Sequence, residues 1–373
     1  MSRRGNNEGT IYKRKDGRWT AAVGLENERR KTFYGRTRQD VSAKLTAALP
    51  ARQNGLGFPK EKKRLDQFLE EWLRDLAKPS VRRTTYEGYE RIVRLHVSPA
   101  LGQLRLARLT PQHIAKLYRA LLDKGLAPKT VRLIHAMLHR ALRQAVRSGL
   151  LAVNPADSVD APRIDRREFR TLDLAETRTF LSAAASDRLS ALYVVALTTG
   201  LRQGELLGLR WSDVDLDRAI LAVRQQVMKL SGEWVYSEPK TSKGRRTVAL
   251  PGMTVTALRQ HKVRQAEERL RCGEWEDHDL VFPNLVGRPI EKQNLMRRSF
   301  RPILQHAGLP PIRFHDLRHS AATLLLGEGV HPKVVQERLG HSTISVTMDT
   351  YSHVMPTLQR DAADRLERAL TRR

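Results

Sequence analysis

Cysteine is nearly absent from this chain: Cys272 is the only one among 373 residues. A lone thiol excludes an intramolecular disulfide and a cysteine-built zinc cluster. Long apolar runs are missing too. The longest, around Ala191 to Leu197, is far too short to span a bilayer, and the opening MSRRGNNEGT has no apolar signal core. No membrane partner is expected, and a reducing cytoplasm or nucleoid is the expected location. Acidic residues are the third scarcity. The 40 Asp+Glu stand against 67 Lys+Arg, giving a formal net charge of +27 and a pI near 10.8. That excess is more than solubility needs and suits a surface that neutralises phosphates, so a polyanion is the leading partner.

The excess is uneven. Residues 1–64 carry 17 basic and 6 acidic residues, residues 65–165 carry 17 and 10, and the remainder carries 33 and 24. Turn signals and short β-prone runs fill the first of these regions: Thr10 to Tyr12, Asp16-Gly17, Trp19 to Leu25 and Arg30 to Tyr34. They predict a three-stranded antiparallel sheet. Thr37, with Asp40 three residues on, caps a helix to about Ala48. Lys13, Arg14 and Arg18 are candidate phosphate contacts on that sheet, since a β-sheet can lie in a DNA groove.

Residues 51–64, with Gly55, Gly57, Pro59 and KEKKR, read as a linker. Beyond it the apolar period becomes helical. Leu65, Phe68, Leu69, Trp72, Leu73 and Leu76 share one helix face. Thr110-Pro111 starts a helix carrying Ile114, Leu117, Tyr118, Leu121 and Leu122, which Gly125 ends. A third helix turns Val131, Ile134, Leu138, Leu142 and Val146 inward and Arg132, Arg140, Arg143 and Arg147 elsewhere, making Arg132 and Arg140 further candidate DNA contacts. Residues 65–155 are thus an all-α bundle, and 156–170, with Pro162 and a charge run, a second linker. From 171 to 373 the pattern is mainly helical. Asp173 with Glu176 caps one helix, Ser190 to Thr199 is a buried one, and Ile220 to Val227, Trp234-Val235 and Arg246 to Leu250 form a small antiparallel sheet. The expected fold is multidomain and mainly α.

Cleaving a phosphodiester without metal needs a nucleophile, cations for the developing charge and an acid for the leaving oxygen. Arginine forks suit phosphate oxygens, and histidines donate or shuttle protons near neutrality. A tyrosine is only about 0.1% ionised at pH 7, so as a nucleophile it requires cationic neighbours or a base. Four strings in the last 200 residues supply such groups in order: TTGLRQGELLGLRW, EPKTSKGRR, HDLRHSAATLLL and LGHSTISVTMDTYSHV.

These strings resemble the tyrosine recombinases, the family of phage integrases and chromosome-dimer resolvases, over residues 171–370. The family's T-G-x-R-x-x-E setting is met by Thr199, Gly200, Arg202 and Glu205. Its hairpin lysine falls on Lys240 beside Thr241, with Lys243 the other candidate in the same turn. Its H-x-x-R falls on His315 and Arg318, its L-G-H on Leu339, Gly340 and His341, and its nucleophile on Tyr351. The resemblance implies that Tyr351 attacks the scissile phosphate, giving a 3′-phosphotyrosine and a free 5′-hydroxyl. Arg202 and Arg318 would clamp the non-bridging oxygens, Lys240 would protonate the 5′ oxygen, and His315 would assist proton transfer. His341 would bond the phosphate, and Glu205 would orient the site. The phosphotyrosine conserves bond energy, so neither ATP, metal nor other cofactor is implied. The bundle then resembles a core-binding domain. The Asp16-Gly17-Arg18-Trp19 sheet of residues 1–50 resembles the arm-binding domain of phage and transposon integrases. An integrase of a mobile element is implied, acting on double-stranded core and arm sites as a homotetramer, with accessory DNA-bending or directionality proteins.

Other classes fit less well. His315 and His319 stand at i and i+4, as in H-E-x-x-H zinc peptidases, but Asp316 replaces the glutamate and Arg318 sets a cation beside the metal. Asp213, Asp215 and Asp217 look like a turn leading into a strand rather than a two-metal cluster. A type IB topoisomerase shares the chemistry but not the arm-like N-terminus. A sequence-specific DNA-binding regulator remains the alternative, since basic charge alone does not separate binding from cleavage.

Overall fold

The computed structural model describes residues 10–14, 16–24, 30–53, 63–164, 170–239, 242–351, 363–364, 366–368 and 370–371. The chain divides into two units, Met1–Arg166 and Arg167–Arg373.

The first unit begins with strands β1 (Thr10–Lys13), β2 (Trp19–Gly24) and β3 (Arg30–Gly35), ordered β1-β2-β3 and antiparallel, with Tyr12 opposite Thr20 and Thr20 opposite Tyr34. Helix α1 (Arg38–Gln53) packs Val41 and Leu45 on Ala21. Its start is the expected one, with the Asp40 amide donating to Thr37 Oγ1 at 3.1 Å. Its end is five residues beyond Ala48, because Ala47, Ala48, Ala51 and Arg52 are strong helix formers that carry the helix through Pro50 into the expected linker.

The bundle comprises α2 (Leu65–Glu71), a π-helical turn (Trp72–Ala77), α3 (Lys78–Ser80), α4 (Arg83–Ile92), a second π turn (Val93–Val97), α5 (Ser98–Leu101), α6 (Pro111–Asp123) and α7 (Pro128–Arg147). The predicted inward stripe holds for Leu65, Phe68, Leu69, Trp72 and Leu73. It fails at Leu76, which is 44% exposed while Ala77 is 1% exposed. The cause is the π turn, where the Lys78 amide bonds to the Leu73 carbonyl five residues back. Its wider winding delays the inward position by one residue. Ile114, Leu117, Tyr118, Leu121, Val131, Ile134, Leu138 and Leu142 are buried as expected, while Leu122 and Val146 are half-buried. Burying each Leu or Ile contributes about 1.5–3 kcal/mol. A 3₁₀ turn, Pro155–Ser158, adds Ala156 and Val159 to this core, so the bundle extends past residue 155.

The second unit is helical around two small antiparallel sheets. Its helices are α8 (Leu174–Ala184), α9 (Ser190–Thr199), α10 (Gln203–Leu207), α11 (Gly252–Arg271), α12 (Lys292–Leu295), α13 (Arg301–His306), α14 (Phe314–Gly327), α15 (Pro332–Leu339) and α16 (Ile344–Tyr351). Strands β4 (Val214–Asp215), β5 (Ile220–Val223) and β8 (Arg246–Ala249) form one sheet in the order β4-β5-β8, and β6 (Gln226–Leu230) pairs with β7 (Glu233–Ser237) in a second. The run Ile220 to Val227, expected as one strand, is therefore divided. Gln225 Nε2 donates to the Gly208 carbonyl at 2.8 Å, drawing the chain off the first sheet onto the end of α10. Asp173 accepts the Glu176 amide at 2.8 Å, capping α8 as predicted. Tyr193, Phe180, Phe300 and Phe282 are the largest fully buried side chains of this core. No helix among the described residues is long and apolar enough to cross a membrane.

Candidate active site

Two left-handed glycines place the site. Gly200 (φ 66°) ends α9 and turns the chain to Arg202, and Gly340 (φ 67°) ends α15 and turns it to His341. A side chain at Gly340 would be strained twice, by that φ and by a Cβ only 2.8 Å from the Lys243 carbonyl. Between these turns lies Arg318, from the second turn of α14. It is 3% exposed and donates to the Gly200 carbonyl at 2.7 Å and the Leu339 carbonyl at 2.8 Å. Neutral carbonyls thus hold its plane without cancelling its charge.

Arg202 is anchored differently. Its NH1 donates to Glu205 Oε1 at 2.7 Å, its own amide to Glu205 Oε2 at 3.0 Å, and its NH2 to the Gly340 carbonyl at 3.3 Å. Glu205, 2% exposed, is shared with Arg246, whose NH2 donates to Oε2 at 3.0 Å. Arg246 also donates to the Arg338 carbonyl at 2.6 Å and the Gly244 carbonyl at 2.9 Å, joining α10, the 242–244 turn and α15. Burial pushes the Glu205 carboxyl up, but Arg246 and Arg202 outweigh it and hold the group below its ordinary value.

Two guanidiniums therefore share one buried carboxylate, a third is held by neutral carbonyls, and the histidines register the field. His341 is pushed down to about 3 by burial and by Arg318 and Arg202. His319 falls to about 4 through burial and His315. His315 is lowered by the crowding of its ring and by Arg318 and Arg202, although its edge reaches solvent. The His315 and His319 rings meet edge to face at 5.0 Å, and His341 Nδ1 lies 2.8 Å from Thr347 Oγ1. His319 and His341 are therefore neutral at pH 7 in the absence of an anion.

Arg202, Glu205, His315, Arg318 and His341 are thus brought together. Tyr351 is the last residue of α16, which begins three residues after His341; its side chain lies outside the described residues. Lys240 lies outside them as well, while Lys243 is exposed and donates to the Ser342 carbonyl at 2.9 Å. Lys13, Arg14, Arg18, Arg132 and Arg140 stand exposed in the other unit, Arg14 over the Tyr34 ring at 5.7 Å and Arg140 donating to Ser80 Oγ at 3.1 Å.

Sequence reasoning missed Arg246. Its signal was the alternation of β8, which turns Arg246, Val248 and Leu250 inward and leaves Arg245 outside. The rival constellations come apart. Among the described residues no group of three or more His, Cys, Asp or Glu could hold a metal ion. Asp213 pairs with Arg210 at 2.9 Å, Asp215 with Arg218 at 3.8 Å and Asp217 with Arg259 at 3.0 Å.

Comparison with known proteins identifies the family and the fold. The model of the phage integrase family matches residues 170–357, and that of the phage integrase N-terminal SAM-like domain matches residues 64–122. A tyrosine recombinase XerC-like protein of Caldanaerobacter subterraneus subsp. tengcongensis is 32% identical over 358 residues, 90% of this chain and 91% of that protein. Two solved structures share the fold. One is the Tn1549 transposon integrase in complex with a circular intermediate DNA (TM-score 0.69, 23% identity, 81% of this chain and 99% of that one). The other is a lambda integrase tetramer bound to a Holliday junction (TM-score 0.58, 20% identity, 94% and 97%). The chain belongs to the phage integrase family of tyrosine recombinases.

Proposed function

We propose that this chain is the integrase of a mobile element, a site-specific recombinase that cleaves and rejoins double-stranded DNA through a 3′-phosphotyrosine. The observation that carries this reading is the convergence of Arg202, Arg318 and Arg246 on Glu205 and the turns at Gly200 and Gly340. Such a cluster, fixed before substrate arrives, stabilises a pentavalent phosphorane without reorganising.

Tyr351 is the nucleophile. Arg202 and Arg318 hold the non-bridging oxygens, the first steered by Glu205 and the second by two carbonyls. His315 assists the proton leaving Tyr351, and His341 bonds the phosphate. Lys240 protonates the departing 5′ oxygen; Lys243, in the same turn, is the other candidate. The reverse steps, with a 5′-hydroxyl from another strand, seal the exchange, so the chain's own side chains suffice for the chemistry.

Residues 171–373 form the catalytic domain in this reading, the bundle from residue 65 through Val159 the core-binding domain, and the N-terminal sheet with α1 an arm-binding domain, with linkers between them. Lys13, Arg14, Arg18, Arg132 and Arg140 contact phosphates. The assembly at work is a homotetramer on paired sites in the nucleoid, helped by DNA-bending or directionality proteins. The test is recombination between paired element ends in chelator-containing buffer. Joined products are expected; binding to those ends without joined products would support the regulator instead.

A further inference from the structure

His341 is held at its backbone from both directions. Its amide donates to the Gln336 carbonyl at 3.1 Å, and its carbonyl accepts from Gln336 Nε2 at 3.1 Å. Gln336 is itself 2% exposed. The remaining freedom is the imidazole ring, which a threonine hydroxyl reaches. Thr347, fully buried in α16, has its Oγ1 2.8 Å from Nδ1. Four residues on in the same helix stands Tyr351.

We infer that Thr347 is a positioning residue whose hydroxyl donates to His341 Nδ1, keeping the ring proton on Nε2 and seating the helix that ends at Tyr351. This inference rests on the recombinase reading of the same site. Burial, with Arg318 and Arg202 near it, favours the neutral ring, which carries one N–H, so two tautomers compete. With the proton on Nε2, His341 donates to a phosphate oxygen. With the proton on Nδ1, donated to Thr347, the lone pair on Nε2 faces that oxygen and repels it. The hydroxyl selects the productive form, and the same bond ties the phosphate-binding turn to the nucleophile's helix.

The test has two arms, both on the full chain. Long-range ¹H–¹⁵N correlation of histidine-labelled protein, with His341→Gln for assignment, reads the tautomer without any reaction. Wild type should show the proton on Nε2, Thr347→Val should lose that preference, and Thr347→Ser should restore it. Single-turnover adduct formation on nicked duplexes carrying the crossover site should slow on the order of 10–100-fold in Thr347→Val, by analogy with the loss when the partner that orients a metal-bound histidine is removed. Thr347→Ser should stay near wild type, and the dissociation constant for the duplex should not change. A wild-type proton on Nδ1, or a wild-type rate in Thr347→Val, overturns the inference. Were Thr347→Val unable to fold, the wild-type spectrum and the Thr347→Ser rate still decide. Were the wild type to form no adduct at all, the recombinase reading fails, and the spectrum still judges Thr347.

Discussion

The helical bundle and the unit bearing the site bury different things. Among the described residues, the bundle core from Leu65 to Ala156 is apolar, with Asn154 the one buried polar side chain of that region. The other unit buries Glu205, Asp213, Asp316 and Arg318, together with His261, Gln336 and Thr347. Apolar burial is non-directional and tolerates volume-conserving change, whereas a buried charge is tolerable only with its partners in place. The first unit is built to stand, and the second is built to hold positive charge in one place.

Glu205→Gln should break the second unit hardest. It leaves Arg246, 6% exposed at its side chain, without its carboxylate, and removing one partner of a buried pair costs about 3–5 kcal/mol. Hydrogen exchange should show lost protection around α10 and β8, with the bundle unchanged. The matching cut in the first unit is Leu142→Ala, at a fully buried site. It should cost about 2–5 kcal/mol, with lost protection confined to the bundle.

Acid should sharpen the contrast. The folded-state values of His319, about 4, and His341, about 3, lie below the ordinary 6.5, so the unfolded chain binds more protons between those values. Their stabilisation is complete above about pH 6.5 and is lost as pH falls toward 4 and 3. His315 and Glu205 act with the same sign. The bundle's lowered histidine is His135, alone among its described residues. Denaturant midpoints read separately in each unit should therefore fall further in the second between pH 7 and 4. Equal falls would break the comparison. The smallest effect is expected at the bundle surface. Arg132→Gln or Arg140→Gln should weaken DNA binding evenly across sequences and reduce the slope of log K against log salt by about 1.

The same difference decides what could be read from the sequence. Apolar period 3.6 marked α2, α6 and α7, and cap residues marked the starts of α6 and α8, because those signals are local. α4 was missed because its inward face, Tyr86, Tyr89 and Ile92, is short and only half-buried. Leu76 was misplaced because nothing in the sequence announces a π turn. In the site, the motif strings named Arg202, Glu205, His315, Arg318 and His341, all of which the fold brings together. The alternation of β8 marked Arg246 as inward but not its partner, and nothing marked Thr347, because their roles arise from contacts 41 and 6 residues away in the chain, made across turns.

The most direct measurement is covalent capture. Nicked duplexes from the ends of the source element are incubated with the chain in metal-free buffer, resolved on denaturing gels and digested for mass spectrometry, with Tyr351→Phe alongside. A 3′-phosphate on Tyr351, absent from a Tyr351→Phe variant that still binds the duplex, is the predicted result. An adduct on another residue, or none despite demonstrated binding, would contradict it.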